Sequence, residues 1–165
     1  MEIYDDFLSE HQFKNFDAQI VNNAYFPWYY NNGVVKENDG RYQFTHMVFD
    51  VLKGGITSDF FPIFETVLLK LNAKKLYRIK INLNPSTFFH RGGGWHVDYE
   101  NDPFQHKKTA VFYLNTNNGW TSFKKNGRVK SKSNRIVIFD SSLKHQGVTC
   151  TDNNRRVIVN FNYDI

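Results

Sequence analysis

His96 and Asp98 stand two residues apart in "GGGWHVDYEN", residues 92 to 101. If the segment is extended, alternate side chains share a face, so the imidazole and the carboxylate point one way and Val97 the other. An imidazole beside a carboxylate is two thirds of the two-histidine, one-carboxylate set that holds a divalent iron with positions left open. The spacing is degenerate by itself and equally suits two polar residues on one strand face. A metal reading therefore needs a third ligand from elsewhere. His145, in "IVIFDSSLKHQGVT", falls just beyond an apolar strand-like run, where a returning chain could deliver it. The competing reading is an ordinary surface or core histidine. Arg155 and Arg156 then open "RRVIVNF". Neighbours on a strand face opposite ways, so one guanidinium can enter the sheet interior and suit a carboxylate while the other is solvated.

The elements that would position these groups begin with a chain of 165 residues, the size of one domain. Its 41% hydrophobic and 17% aromatic content supports a core without staples and argues against disorder. Cys150 is the sole cysteine, which excludes an internal disulfide framework and suits a small buried residue in a reducing compartment. The opening "MEIYDDFLSEHQF" is acidic and lacks a signal-peptide pattern, and no apolar run is long enough to span a bilayer. The expectation is a cytoplasmic protein with no membrane partner. Much of the formal charge of +5 sits in residues 123 to 135, which carry six Lys and Arg. No stacking aromatics are interleaved there, so a solvated hairpin edge is favoured over a nucleic-acid patch.

No repeat or composition break divides the chain, which reads as a single domain over 1–165, with helical support over about 1–75 and a strand-rich core over about 76–165. Ser9 and Gln12 form a capping box, and Phe13, Phe16 and Ile20 follow at helical spacing. A second helix is predicted from about Ser58 to Leu71. Strands are predicted at 76–84, 109–115, 134–140 and 155–163, with a hairpin turning tightly at Asn126-Gly127. Helices first and short strands after, with no crossover helices, predict a mainly β antiparallel sandwich or jelly roll with helices packed on one outer face. The glycines of "RGGGW" precede no helix, so they read as a flexible loop, a candidate lid over substrate, rather than a phosphate cradle. His90 and His106 read as loop residues. Trp95, Phe112 and Phe139 read as site walls or plain core.

In order, the chain shows His96-Val97-Asp98, "YLN", "NGWTSF", "IVIFDSSLKHQGV" and an Arg before "VIVNF". In this set, over roughly residues 76 to 163, it resembles the iron(II)- and 2-oxoglutarate-dependent dioxygenases of the prolyl-4-hydroxylase-like group, in texture the small bacterial and phage members. The resemblance implies a double-stranded β-helix (a jelly roll) with the metal at its mouth. His96 and Asp98 would be the proximal ligands and His145 the distal one. The far carboxylate of 2-oxoglutarate would fall to Arg156, by alignment of "VIVNF", or to Arg155, by counting from the distal histidine. Tyr113 and Thr121 match positions beside the cosubstrate, or are ordinary strand residues. The implied cofactors are Fe(II), 2-oxoglutarate and O2, with ascorbate a further candidate. The implied reaction couples decarboxylation of 2-oxoglutarate to succinate with hydroxylation of a C–H bond. The substrate would be a prolyl residue of a peptide or protein, or a small molecule, gripped by loops 28–45 and 84–95. The setting would be the cytoplasm of a bacterium or of a phage-infected cell. One departure stands out: where many members have a tyrosine on the strand before H-x-D, this chain has Arg78, Lys80 and Asn82. The alternative is a non-catalytic, cupin-like metal- or ligand-binding jelly roll, which has no use for an inward Arg156.

Overall fold

Runs of β-branched and aromatic residues alternating with polar ones fill the second half of the chain, and each becomes a strand. The computed structural model describes residues 1–35, 37–98 and 107–165. In chain order its elements are β1 (Glu2–Tyr4), α1 (Glu10–Phe16), β2 (Tyr29–Asn31), β3 (Gln43–Asp50), β4 (Gly55–Ile56), α2 (Glu65–Lys70), β5 (Lys75–Pro85), β6 (Lys108–Tyr113), β7 (Trp120–Phe123), β8 (Gly127–Lys130), β9 (Arg135–Asp140), β10 (His145–Val148) and β11 (Arg155–Asp164). The larger sheet runs β1-β9-β6-β11-β5-β3-β2, with β4 also on β3, and the smaller runs β10-β7-β8. The strand pairings among the described residues are all antiparallel, the pattern of a jelly roll.

The alternation of β5 and β11 sorts the interior into two layers. Ile79, Ile81, Val157, Val159 and Phe161 face one way and join Leu8, Phe16, Ile20, Phe64 and Val67 in the main core. Phe112 anchors this layer, with the rings of Phe7, Phe13 and Phe16 meeting it edge-on at 6.1, 6.0 and 5.8 Å. Each such pair contributes about 0.5–1.5 kcal/mol beyond burial. The opposite face packs Val111, Tyr113, Val137, Phe139 and Ile158 against Phe123 and Val129 of the smaller sheet. Helices thus cover one face, as expected, and the space between the sheets is left for a site.

Several local expectations are revised. The Ser9–Gln12 capping box forms, but α1 passes into a π-helical turn over Asp17–Val21. The second helix starts late. Ser58 Oγ accepts from the Phe60 amide and contacts His46, a 3-10 turn spans Phe61–Phe64, and the α-helix proper covers only Glu65–Lys70. Residues 1–75 are not only helical support, because β1, β2, β3 and β4 extend the larger sheet. The hairpin does not turn on a two-residue Asn126-Gly127 pair. Phe123 pairs with Gly127, which leaves three residues between, and Gly127 alone takes the left-handed conformation at φ +76. Its basic strand β8 is the edge of the smaller sheet, where lysines discourage further pairing. Among the described residues no helix is long and apolar enough to cross a membrane.

Candidate active site

The H-x-D segment is not the regular strand its spacing suggested. His96 forms an isolated antiparallel bridge with His145, the first residue of β10, and Asp98 lies in a turn. The two histidine backbones exchange hydrogen bonds of 3.0 and 2.9 Å, so the ladder itself sets their side chains together. The preceding glycines are tied down rather than loose. Gly92 bridges Val148, and the Gly93 amide donates to the Gly147 carbonyl at 2.8 Å. A Cβ on Gly92 would stand 2.5 Å from Gln146 Oε1, and one on Gly93 3.0 Å from Val34 Cγ1. Packing against the Gln146 and Val34 side chains, and a left-handed φ of +102 at Gly94, account for these glycines.

Asp98 Oδ1 lies 3.5 Å from His96 Nε2 and 3.8 Å from His145 Nε2, and one ligand atom from each of the three residues lies within 4.8 Å of the others. Each imidazole is held from behind. His96 Nδ1 is 2.9 Å from the Gly94 carbonyl and His145 Nδ1 is 3.0 Å from that of Leu143, which places the hydrogen on Nδ1 and the lone pair on Nε2. The second Asp98 oxygen, Oδ2, is taken by Arg78 Nη2 at 3.3 Å and by Asn162 Nδ2 at 3.5 Å. Arg78 Nε in turn donates to Asn162 Oδ1 at 2.8 Å. Burial alone would push the Asp98 carboxyl up, but Arg78, His96 and His145 outweigh it and hold it well below the usual range. Burial opposes a charged His96, yet the bond and charge of Asp98 carry its value upward. For His145 burial prevails and its value falls, which favours the neutral ring. Two imidazole lone pairs and one ionised oxygen on a single side fit a first-row divalent ion with its other positions open.

The cavity beside these groups measures about 350 Å³, and Arg156 closes its inner end. This guanidinium is 1% exposed, and Nε and Nη2 donate to the hydroxyls of Ser131 and Thr121, both at 2.9 Å. Tyr113 donates to Thr121 Oγ1 at 2.7 Å, and its ring lies 5.5 Å under the guanidinium. No carboxylate pairs with Arg156 among the described residues, a costly state for a buried cation unless a bound anion completes it. Its neighbour Arg155 points to the other face and donates to the Val21 carbonyl at 2.5 Å. The structure therefore brings Arg156, Tyr113 and Thr121 together and leaves Arg155 out.

Other sequence candidates separate in the same way. Phe139 packs edge-on against the His145 ring at 4.9 Å, whereas Phe112 belongs to the helix-side core and Trp95 is 45% exposed. His90 sits against Trp120 and the Thr149 carbonyl, away from the triad, and His106 lies outside the described residues. Arg78 was visible only as a departure from a familiar pattern. Asn160, Asn162 and Ser131 were missed, although two asparagines at a spacing of two within "VIVNFNY" mark a polar stripe on an apolar strand.

Residues 85–164 match the family model of the 2OG-Fe(II) oxygenase superfamily, a stretch that contains His96, Asp98, His145 and Arg156. None of the curated proteins matches the chain. Among solved structures, a Pseudomonas putida prolyl-4-hydroxylase superposes with a TM-score of 0.69 at 15% identity, over 99% of this chain and 92% of its own. A 2OG-Fe(II) oxygenase family oxidoreductase from Burkholderia pseudomallei gives 0.69 at 14%, over 97% and 82%. A Trichoplax adhaerens prolyl hydroxylase, solved with a hypoxia inducible factor peptide fragment, gives 0.62 at 14%, over 99% and 83%.

Proposed function

We propose that the chain is a member of the 2OG-Fe(II) oxygenase superfamily, whose family model its residues 85–164 match and whose members use Fe(II), 2-oxoglutarate and O2, and that His96, Asp98 and His145 are its iron ligands and Arg156 its cosubstrate anchor. Tyr113 and Thr121 complete the anchor, with Ser131 fixing the guanidinium from the other side. The observation that carries this reading is the uncompensated Arg156 guanidinium in the cavity that also holds the His96–Asp98–His145 cluster. When bound, iron and 2-oxoglutarate supply the oxidative decarboxylation to succinate that is coupled to hydroxylation of a C–H bond.

The chain's own residues position and exclude. Arg78 and Asn162 occupy Asp98 Oδ2 and so present Oδ1 to the metal position. The Gly94 and Leu143 carbonyls fix both imidazole tautomers. Val111, Val148 and Ile158 line the cavity and limit water around the reacting groups. We further propose that the whole chain forms one catalytic domain and acts in the cytoplasm. Its substrate is a peptide or protein, hydroxylated at a prolyl residue. Tyr42 and Arg91 in the cavity lining, with the exposed Tyr30 of β2 and the exposed Phe88 and Phe89 of the loop after β5, offer the aromatic surface that such a chain would lie against.

The test is an anaerobic titration of the metal-free protein with Fe(II) and then 2-oxoglutarate, following the visible charge-transfer band of the chelated keto acid. The band is expected in the wild type and absent in Asp98→Ala. A wild type that binds iron without developing the band would overturn the reading.

A further inference from the structure

The cavity carries more positive charge than iron and 2-oxoglutarate can use. Arg41, Arg78, Lys80, Arg91 and Arg156 all line it, and Asp98 is the one carboxylate in the lining among the described residues. Fe(II) and 2-oxoglutarate have equal and opposite charges, so loading the site leaves the excess in place. Arg156 is assigned to the far carboxylate of the cosubstrate, and Arg78 holds Asp98. Arg91 is exposed and Arg41 half-buried, which sets these two on the solvent side of the cavity.

The backbone brings Arg41 and Arg91 together. Arg41 Nη1 donates to the carbonyl of Gly92, the residue after Arg91, at 2.5 Å. Its Nη2 donates to Asp39 Oδ2 at 3.0 Å, so the guanidinium is held at two points and keeps further N–H groups open. Asp39 is committed to its own loop, accepting from the amides of Val34, Val35 and Arg41. Arg91 has no such partner. The Arg91 amide donates to Thr149 Oγ1 at 2.9 Å and the Thr149 amide donates back to the Arg91 carbonyl at 3.0 Å. The Arg91 guanidinium makes no hydrogen bond or ion pair among the described residues. A fixed backbone with a free guanidinium, beside a second one already oriented, suits a carboxylate brought in from outside. Tyr42, next to Arg41 and stacked on Tyr30 at 6.0 Å, adds the apolar surface that a peptide needs.

We propose that Arg91, with Arg41 beside it, selects the substrate by binding an aspartate or glutamate side chain close to the residue that is hydroxylated. The proposal rests on the oxygenase and peptide readings above and names the substrate class, an acidic peptide. A basic flank is repelled by the same pair, so discrimination runs in both directions.

The experiment offers short peptides, each with a central proline and random flanks, to the protein loaded with Fe(II) and 2-oxoglutarate without oxygen. Retained peptides are identified by mass spectrometry. Asp and Glu are expected to be enriched about tenfold over Asn and Gln near the proline, the scale of one charge-assisted hydrogen bond. Added salt should reduce the enrichment. Arg91→Gln is expected to remove most of it, and Arg91→Glu to turn the preference towards Lys and Arg, a reversal that a merely structural arginine would not produce. Retained peptides without acidic enrichment, or an enrichment that survives Arg91→Glu, would overturn the proposal and leave the oxygenase reading intact. No retained peptide, with the charge-transfer band present, would overturn the peptide reading and this proposal with it. A missing band in the wild type would overturn the oxygenase reading and both that depend on it.

Discussion

Replacing Arg156 by Met should separate stability from ligand binding, with effects of opposite character. In the ligand-free protein the guanidinium is buried, bonded only to neutral groups, and pushed below its ordinary pKa by burial. Removing such a charge in favour of an apolar side chain of similar length is commonly neutral or stabilising. The variant does remove one donor each from Ser131 and Thr121, at about 1 kcal/mol each, and Thr121 keeps its bond from Tyr113. The net change in folding stability should therefore lie within about 1–2 kcal/mol of zero. Binding should respond very differently. Each charge-assisted bond to a carboxylate contributes about 1.5–3 kcal/mol, so losing one weakens 2-oxoglutarate ten- to hundredfold and losing a bidentate pair weakens it by a further factor of that order. Urea unfolding of the ligand-free protein and the charge-transfer titration measure the two quantities. A loss of more than about 3 kcal/mol in stability with 2-oxoglutarate affinity unchanged would show that Arg156 is a structural residue and refute the reasoning.

Three further outcomes follow from the same geometry. Fe(II) at about a hundred times its dissociation constant should add about 2.7 kcal/mol, a rise of about 5–10 °C in melting temperature for a chain of this size, and Asp98→Ala should abolish it; anaerobic calorimetry in which the rise persists in the variant would remove Asp98 from the ligand set. Lys80 is lowered to about 8, by burial first and by the Arg78 charge second. The folded state then holds this proton less tightly than the unfolded chain, so the burdened stability of the wild type recovers as pH rises from about 8 to 10.5. Lys80→Met should accordingly be more stable than wild type at pH 7, by up to roughly 3 kcal/mol, with the advantage gone near pH 10.5; denaturation curves showing a less stable variant at pH 7 would contradict this. A Cβ on Gly119 would stand 2.8 Å from the Val148 carbonyl oxygen and 2.9 Å from Arg156 Cδ, so Gly119→Ala should cost about 1–3 kcal/mol and weaken 2-oxoglutarate as well, and an unchanged urea midpoint would contradict it.

The sequence by itself determined the residues of the cluster and most of the strands that carry it. Two-residue alternation is a local signal, and it marked β5, whose Ile79 and Ile81 face the core while Arg78, Lys80 and Asn82 line the cavity, whereas runs of β-branched and aromatic residues marked β6, β9 and β11. The Ser9–Gln12 capping box was legible for the same reason, since both of its hydrogen bonds close within three residues. His96, Asp98, His145 and the Arg155–Arg156 pair were legible because chemistry restricts which side chains can bind a metal or a carboxylate.

What only the tertiary structure decided depends on pairing between distant segments. Strands β1, β2 and β4 have three residues or fewer, too short to show a period, and form because the larger sheet offers them an edge. The N-terminus is pinned by Asn134, whose side chain accepts from the Leu8 amide and donates to its carbonyl across 126 residues. Which arginine enters the cavity was fixed by the register of β11 on β5, because a slip of one residue exchanges the two faces. The same register put Arg78 and Asn162 on the second oxygen of Asp98 and left the Oδ1 atoms of Asn82 and Asn160 without a partner. Composition names the groups that can do chemistry, but cross-strand register decides which of them face one another.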